Sequence, residues 1–397
     1  MNISEKKKAR IVEKMKKADL DGMFLRISED VLYFTGYWPQ NHAGAAVVNA
    51  EGDTWLLIPE LEVEHEFPSH SPSNDVMVRK FVLESGEKIH DLNCQLSKHL
   101  PYVFTELGLK EGRVGVEKSI EMVNFGVFQG EVKCPGEPTW NMLTETFPEI
   151  QFIDATAEIF ELRSIKTTEE ISAIQKAVTV ACFGFEAARN VLKPGIKESE
   201  LAAEIEYAIH TKGIGYEGID QARGYAAVYS GTRSAYQNLH YAHSTARVIE
   251  ENDPVIIELA AFADGYWSDL TRNLVPGEAS AKIKDMFEVT LGAQRAAMNE
   301  IQDGVEIKVP YLAAADYFES HGYPRRWPHA LGHGVGFAYH EGPPLHESID
   351  GRLESGMVLT IEPGMYIEDV GGVRPEDMIV VTETGIEELS KFYPHRL

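Results

Sequence analysis

The sequence predicts a two-domain α/β (α+β) protein, and three observations carry that expectation. At 397 residues the chain exceeds the usual size of one hydrophobic core. Its first part, roughly 150 residues, alternates short strand and helix patterns, as a mixed α/β domain does. From Tyr225 onward strand patterns dominate, interrupted by two helical stretches at about 280–301 and 308–321. The division falls near residue 160, giving expected domains 1–160 and 161–397.

The opening segment reads as a helix. Ser4 is its candidate N-cap, and Ile11, Met15 and Ala18 recur at helical spacing. Met23 to Leu25 is a short strand. Ala45 to Val48 and Trp55 to Ile58 flank the turn-like Asn49-Ala50-Glu51-Gly52-Asp53 and predict a hairpin. Arg113 to Glu117 and Gln151 to Ile153 are further strands, and Glu161 to Lys166 reads as the linker. Thr167-Thr168-Glu169-Glu170 has the capping-box pattern. Behind it Ile171, Ile174, Val178, Ala181 and Phe185 form one apolar helical stripe, which Lys193-Pro194-Gly195 ends. Leu201, Ile205 and Ile209 mark the next helix. Val255 to Phe262 and Tyr266 to Val275 form a hairpin across Ala263-Asp264-Gly265, because Asp-Gly accepts positive φ. Apolar segments at Gly334–Tyr339, Met357–Ile361 and Met378–Val381 close the chain.

The formal net charge of −25 argues against nucleic acid and anionic membrane surfaces as partners. Solubility alone is the simplest reading of that charge, and metal ligands within the acid excess are the alternative. Cys94, Cys134 and Cys182 are odd in number and lack zinc or disulfide spacing, which fits a reducing compartment. The N-terminus has no apolar run behind its basic residues. No stretch approaches the ~18 apolar residues of a membrane helix. A soluble, cytoplasmic protein is expected.

The chemistry is read from polar residues inside the C-terminal apolar runs. Glu258 interrupts Val255-Ile256-Ile257-Glu258-Leu259-Ala260, Asp269 lies across the hairpin, Glu362 ends Val358 to Ile361, and Glu376 precedes Met378 to Val381. A lone buried carboxylate is costly. Carboxylates facing one core repel one another unless cations lie between them. His333, in Gly332-His333-Gly334-Val335-Gly336, adds an imidazole where glycines let the backbone approach closely. One imidazole with several carboxylates suits Mn, Fe, Co or Zn better than Ca. Bridging carboxylates would hold two ions about 3.5–4 Å apart. Singly, each acid is more readily explained by an ion pair, with Arg272 and Arg374 available, and a histidine between glycines by a structural role. Together, on separate apolar segments, they point to metal.

The chain resembles the pita-bread metallopeptidases: aminopeptidase P, prolidase, methionine aminopeptidase and the related non-peptidase creatinase. The resemblance rests on Val31-Leu32-Tyr33-Phe34-Thr35-Gly36-Tyr37 near the N-terminus and on four ordered C-terminal blocks. These are Gly265-Tyr266-Trp267-Ser268-Asp269-Leu270-Thr271-Arg272, His329-Ala330-Leu331-Gly332-His333-Gly334-Val335-Gly336, Ile361-Glu362-Pro363-Gly364-Met365-Tyr366 and Gly372-Val373-Arg374-Pro375-Glu376-Asp377. It implies a creatinase-like N-terminal domain and a C-terminal pita-bread domain of two pseudo-symmetric αβ units around a curved sheet. It also implies a homodimer and two divalent metal ions. By position, Asp269 and Glu376 would bridge the ions, and His333 and Glu362 would hold the first. Glu258 stands where the family normally has an Asp on the second ion, and its extra methylene gives it a longer reach. Pro375 stands where an aliphatic residue is usual. His340, in Ala338-Tyr339-His340-Glu341, and His240, in Asn238-Leu239-His240-Tyr241, match the family's catalytic histidines, with His243 a competitor for the latter.

The activity so implied is hydrolysis of N-terminal Xaa-Pro bonds in short peptides by a metal-bridging hydroxide. Glu362 would shuttle the proton, His240 and His340 would bond substrate and oxyanion, and Arg374 would orient Glu376. The substitution at Glu258 keeps open a metal-free or one-metal hydrolase of a small amide or amidine, like creatinase or ectoine hydrolase. A non-catalytic peptide-binding module is the third reading.

Overall fold

The computed structural model describes residues 5–39, 44–60, 62, 71–82, 92–119, 136–239, 243–325 and 327–397. His240 and Cys134 lie outside them, as does Ser4. The chain separates into two compact units, with the border between Arg163 and Ser164.

The first unit is built on one mixed sheet. Its strands are β1 (Gly22–Leu25), β2 (Ala45–Asn49), β3 (Thr54–Pro59), β4 (Met77–Phe81), β5 (Gly112–Val116) and β6 (Ile150–Asp154), in the order β4-β3-β2-β1-β5-β6. β2 and β3 form the expected antiparallel hairpin, while β1, β5 and β6 run parallel. Phe24, Val47, Leu57 and Val114 share a core with Leu96, Leu100 and Val103 of the helix Leu92–Glu106. The N-terminal helix Glu5–Lys17 buries Ile11 and Met15, as its spacing predicts. The border between the units falls within the expected linker, 161–166. The supposed linker is helical as far as Ser164, because the helix Thr156–Ser164 runs through it with Ile159 and Leu162 buried. The burial of two apolar side chains fixes that turn.

The second unit contains two helix pairs, each with its own sheet. The helices Thr168–Val191 and Glu198–Gly213 accompany β7 (Ala222–Ser230), β8 (Val255–Ala263) and β9 (Tyr266–Leu274). The helices Ala281–Asn299 and Lys308–Ser320 accompany β10 (Gly332–Gly334), β11 (Glu341–Leu345), β12 (Val358–Ile361), β15 (Asp377–Thr382) and β16 (Gly385–Glu388), in the order β11-β10-β12-β15-β16. Between β12 and β15, β13 (Met365–Ile367) pairs with β14 (Gly371–Val373). This doubled layout agrees with the pita-bread expectation.

Local chemistry explains the boundaries. The Thr167 hydroxyl accepts from Glu170 N and the Glu170 carboxylate accepts from Thr167 N, which completes the capping box. Ile174, Val178, Ala181 and Phe185 are buried along one helix face. That same helix has the length and hydropathy of a membrane-crossing segment, contrary to the expectation that no stretch approaches one. Half of its apolar window is buried inside the fold, and Ser268 of β9 donates to its Ala177 carbonyl at 3.1 Å. The β8–β9 turn uses Asp264 at φ 47 and Gly265 at φ 89, the positive-φ pair its sequence predicts. The segment after β10, residues 335–340, is a buried loop rather than a strand. Its Glu341 end is held by a fully buried ion pair with Lys166 at 3.0 Å.

Candidate metal centre

The three- and five-stranded sheets of the second unit meet where β9 passes the start of β15. Glu376 N donates to Thr271 O at 3.3 Å, and Arg272 Nη1 donates to Glu376 O at 2.6 Å. On the other side Glu362 N donates to Leu331 O at 2.7 Å. These backbone bonds bring Asp269, His333, Glu362 and Glu376 to one place.

The hairpin register sets one wall. Ala260 pairs with Asp269 and Glu258 with Thr271, so Glu258 and Asp269 project from the same face. The opposite wall needs glycine. A Cβ at Gly332 would strike Thr360 O, and one at Gly334 would strike Gly342 O. Only bare backbone lets β10 lie this close to its neighbours. His333 between them donates its N–H to Thr360 Oγ1 at 3.1 Å, and its Nδ1 bonds Gly334 O at 2.8 Å. A carbonyl only accepts, so Nδ1 is the donor there and Nε2 is the atom turned toward the acids.

His333 Nε2 lies 3.4 Å from Asp269 Oδ2 and 3.5 Å from Glu362 Oε1. His340 Nε2 is 4.0 Å from Asp269 Oδ2, and the two imidazole rings meet edge to face at 4.1 Å. Two overlapping ligand sets result, Asp269 with His333 and His340, and His333 with Glu362 and Glu376. Asp269 Oδ1, His333 Nε2 and Glu376 Oε1 are buried with no hydrogen-bond partner among the described residues. Buried polar atoms are rarely left so.

Three acids share one nearby guanidinium, Arg374, which does not offset their burial. Burial pushes the Glu362 carboxyl up to about 8, with Glu376 adding to the shift. Burial pushes Glu376 up to about 8 as well, with Asp269 adding to it. Asp269 is raised well above the usual range by burial and by Glu258 and Glu362. Burial, then His333 and Arg374, lowers His340 to about 2, so its imidazole is neutral. Uncharged imidazole and crowded carboxyls that hold protons only for want of a cation are the donor set a divalent transition metal takes. The residues fit such an ion.

Glu258 behaves differently. Its Oε2 pairs with Arg374 Nη2 at 2.9 Å and its Oε1 accepts from Tyr339 OH at 2.7 Å. Burial alone would raise its pKa, but Arg374 and Tyr339 outweigh burial and hold it below the usual value. The ion-pair alternative considered for each acid is therefore realised at Glu258, and it belongs to neither ligand set. Arg374 Nη2 also donates to Thr271 Oγ1 at 2.9 Å, and that hydroxyl donates to Glu376 Oε2 at 2.7 Å. Arg374 thus reaches Glu376 through Thr271, and it lies 3.5 Å from Glu362 Oε2. Arg272, the other available cation, pairs with Asp377 instead.

Sequence reading gave no role to His329, although it stands in a quoted block. Its side chain is partly buried, Nδ1 bonds Ala330 O at 2.8 Å, and Nε2 meets Tyr366 OH at 2.9 Å. Burial, then Arg374, lowers it to about 3, so it too is neutral. Tyr339 and Thr271 were missed because their partners lie 81 and 105 residues away in the chain.

Comparison with known proteins now bears on this site. Residues 172–383 match the model of metallopeptidase family M24, and residues 7–165 match the creatinase/prolidase N-terminal domain. The chain is 31% identical to a Xaa-Pro dipeptidase of Pyrococcus horikoshii, with 98% of each chain covered. It is 32% identical to one of Pyrococcus furiosus, covering 96% of this chain and 97% of that one. The solved Xaa-Pro dipeptidase from Bacillus anthracis superimposes with a TM-score of 0.79 at 27% identity, over 99% of this chain and 98% of that one. The family match covers more than half of the chain and takes in every candidate ligand, so the protein belongs to metallopeptidase family M24, with a creatinase/prolidase-type N-terminal domain.

Proposed function

We propose that this metallopeptidase hydrolyses Xaa-Pro bonds at the N-terminus of short peptides, as the names of its relatives indicate for them. The observation that carries the reading is the trio of orphaned buried atoms, Asp269 Oδ1, His333 Nε2 and Glu376 Oε1, beside carboxyls raised by burial and then by one another. His333 and Glu362 would hold one divalent ion, and Asp269 and Glu376 would be shared with a second. Glu258, held by Arg374 and Tyr339 on the same face as Asp269, would be the further carboxylate for a second ion. Mn, Co, Zn and Fe all suit this donor set. Such ions, when bound, polarise the scissile carbonyl and make water acidic enough to attack near neutral pH.

The side chains do the rest. Glu362 would take the proton from the attacking water and return it to the leaving amine. Neutral His340 donates a hydrogen bond to the developing oxyanion, and His240 does the same for the substrate. Arg374 fixes Glu376 through Thr271 and balances Glu258. We assign residues 161–397 to catalysis and 1–160 to the accessory domain, in a cytoplasmic homodimer. The metal-free amide hydrolase gains no support from this site, because it gives no use to the orphaned atoms of Asp269, His333 and Glu376.

The test is to strip the protein with chelator, reload it with Mn, Co or Zn, and assay Xaa-Pro dipeptides and tripeptides. Close to two ions per chain with restored cleavage is the expected result. Absence of both binding and cleavage would sink the reading.

A further inference from the structure

We propose that Gln294 is a positioning residue that sets the spacing of Glu362 and Glu376, an inference that rests on reading those two glutamates as cation ligands. Gln294 lies on the buried face of the helix Ala281–Asn299, between Leu291 and Ala297, and is 3% exposed. A carboxamide in such a core is costly unless bonded. Its Nε2 donates to Ile361 O at 2.9 Å and stands 3.5 Å from Pro375 O. Ile361 immediately precedes Glu362, and Pro375 immediately precedes Glu376.

The sheet explains why a side chain is needed at that point. β12 and β15 pair antiparallel, and the last pair of their ladder is Ile361 with Asp377. Continued by one step, the register would set Glu362 opposite Glu376. Continued by two, it would set Pro363 opposite Pro375. Neither proline has an N–H, so the ladder cannot extend beyond the glutamates. The N–H groups of the glutamates are engaged elsewhere, Glu362 with Leu331 O and Glu376 with Thr271 O. Both ligands therefore stand at an open strand end. The Gln294 amide carries two hydrogens on one nitrogen and can tie both carbonyls. It supplies the cross-link that the prolines remove. A metal centre tolerates displacements of only about 0.5 Å in its ligands.

The experiment compares Gln294→Met with Thr290→Val in the full chain. Met keeps the length and volume but cannot donate. Thr290 is a fully buried residue one turn away whose hydroxyl serves only its own helix, at Met286 O. Chelator-stripped proteins are titrated calorimetrically with Mn²⁺, and their metal-free thermal stability is recorded. Gln294→Met is expected to weaken Mn²⁺ binding about tenfold or more, the scale of a lost outer contact, with Thr290→Val within about twofold of the parent. Should Gln294→Met not fold, Gln294→Asn carries the test, since its shorter amide cannot span both carbonyls. Wild-type affinity in the Gln294 variants, or equal weakening in Thr290→Val, would overturn the proposal. A parent protein that binds no Mn²⁺ removes the ligand reading itself, and this inference with it.

Discussion

Glu376 and Asp377 are neighbours in the chain, both buried, and they live in opposite electrostatic worlds. Glu376 accepts one hydrogen bond, from Thr271, and its other oxygen has no partner among the described residues. Asp377 accepts from Arg272 at 3.0 Å and Ser390 at 2.6 Å, and meets His395 at 2.7 Å. Burial pushes both carboxyls up. At Glu376 the nearby Asp269 adds to that, whereas at Asp377 His395, Arg272 and Ser390 reverse it and hold the group below its usual range. Burial does not separate structural from functional acids here. The partners do, and the oxygen left without one, Glu376 Oε1, is where the proposed ligand role rests.

Exchanging the two roles is the strongest way to break this contrast. Glu376→Gln should lower metal-dependent activity by more than the ~10–100-fold that outer contacts cost. It should leave the metal-free protein as stable as before or more so, because it removes a repelling carboxyl. Asp377→Asn should do the reverse. It leaves Arg272 without its charge partner, a loss of about 3–5 kcal/mol for a buried pair, while Mn²⁺ still binds. Denaturant melts and metal titrations on both variants read the two effects separately. If both lose stability equally, the contrast is wrong.

The pH dependence sharpens the same comparison. Glu362 and Glu376, at about 8, sit well above the ~4.3 of an unfolded Glu, so the metal-free folded state binds more protons between those values. Its stability should therefore fall as pH rises through that window. Asp377, depressed, contributes stability above its unfolded value of ~3.9 that is lost as pH falls below it. Bound metal replaces the protons and should flatten the upper slope. Thermal melts at several pH values, with chelator and with Mn²⁺, test this, and identical slopes would count against it.

Much of this was legible in the sequence where the cause is local. The capping box at Thr167, the Asp264-Gly265 turn and the stripe through Ile174 and Phe185 are short-range devices, and the structure has each. The ligand candidates were legible because carboxyls inside apolar runs are anomalous. Their sorting was not. Glu258 and Glu376 look alike in sequence, yet one is paired with Arg374, 116 positions away, and the other is left open. Gln294 was visible only as a polar residue on an apolar helix face. Its bonds reach carbonyls 67 and 81 residues on, which no local pattern reports.

The smallest effect belongs to Tyr339→Phe. Glu258 occupies a middle position in the comparison, since it has partners like Asp377 and faces the centre like Glu376. Removing the hydroxyl deletes one hydrogen bond to a charged acceptor, about 1.5–3 kcal/mol, and leaves Arg374 in place. The Glu258 carboxyl should then hold its proton to higher pH, because burial keeps acting while one opposing contact is gone. If Glu258 serves the second ion, the second equivalent of Mn²⁺ should bind more weakly at low pH and recover as pH rises, with the first equivalent unchanged. If Glu258 is only the counter-charge of Arg374, neither equivalent should respond, and the loss should appear in stability alone. A two-equivalent Mn²⁺ titration of the variant at pH 6 and pH 8 separates the outcomes, and a change confined to the first equivalent would contradict both.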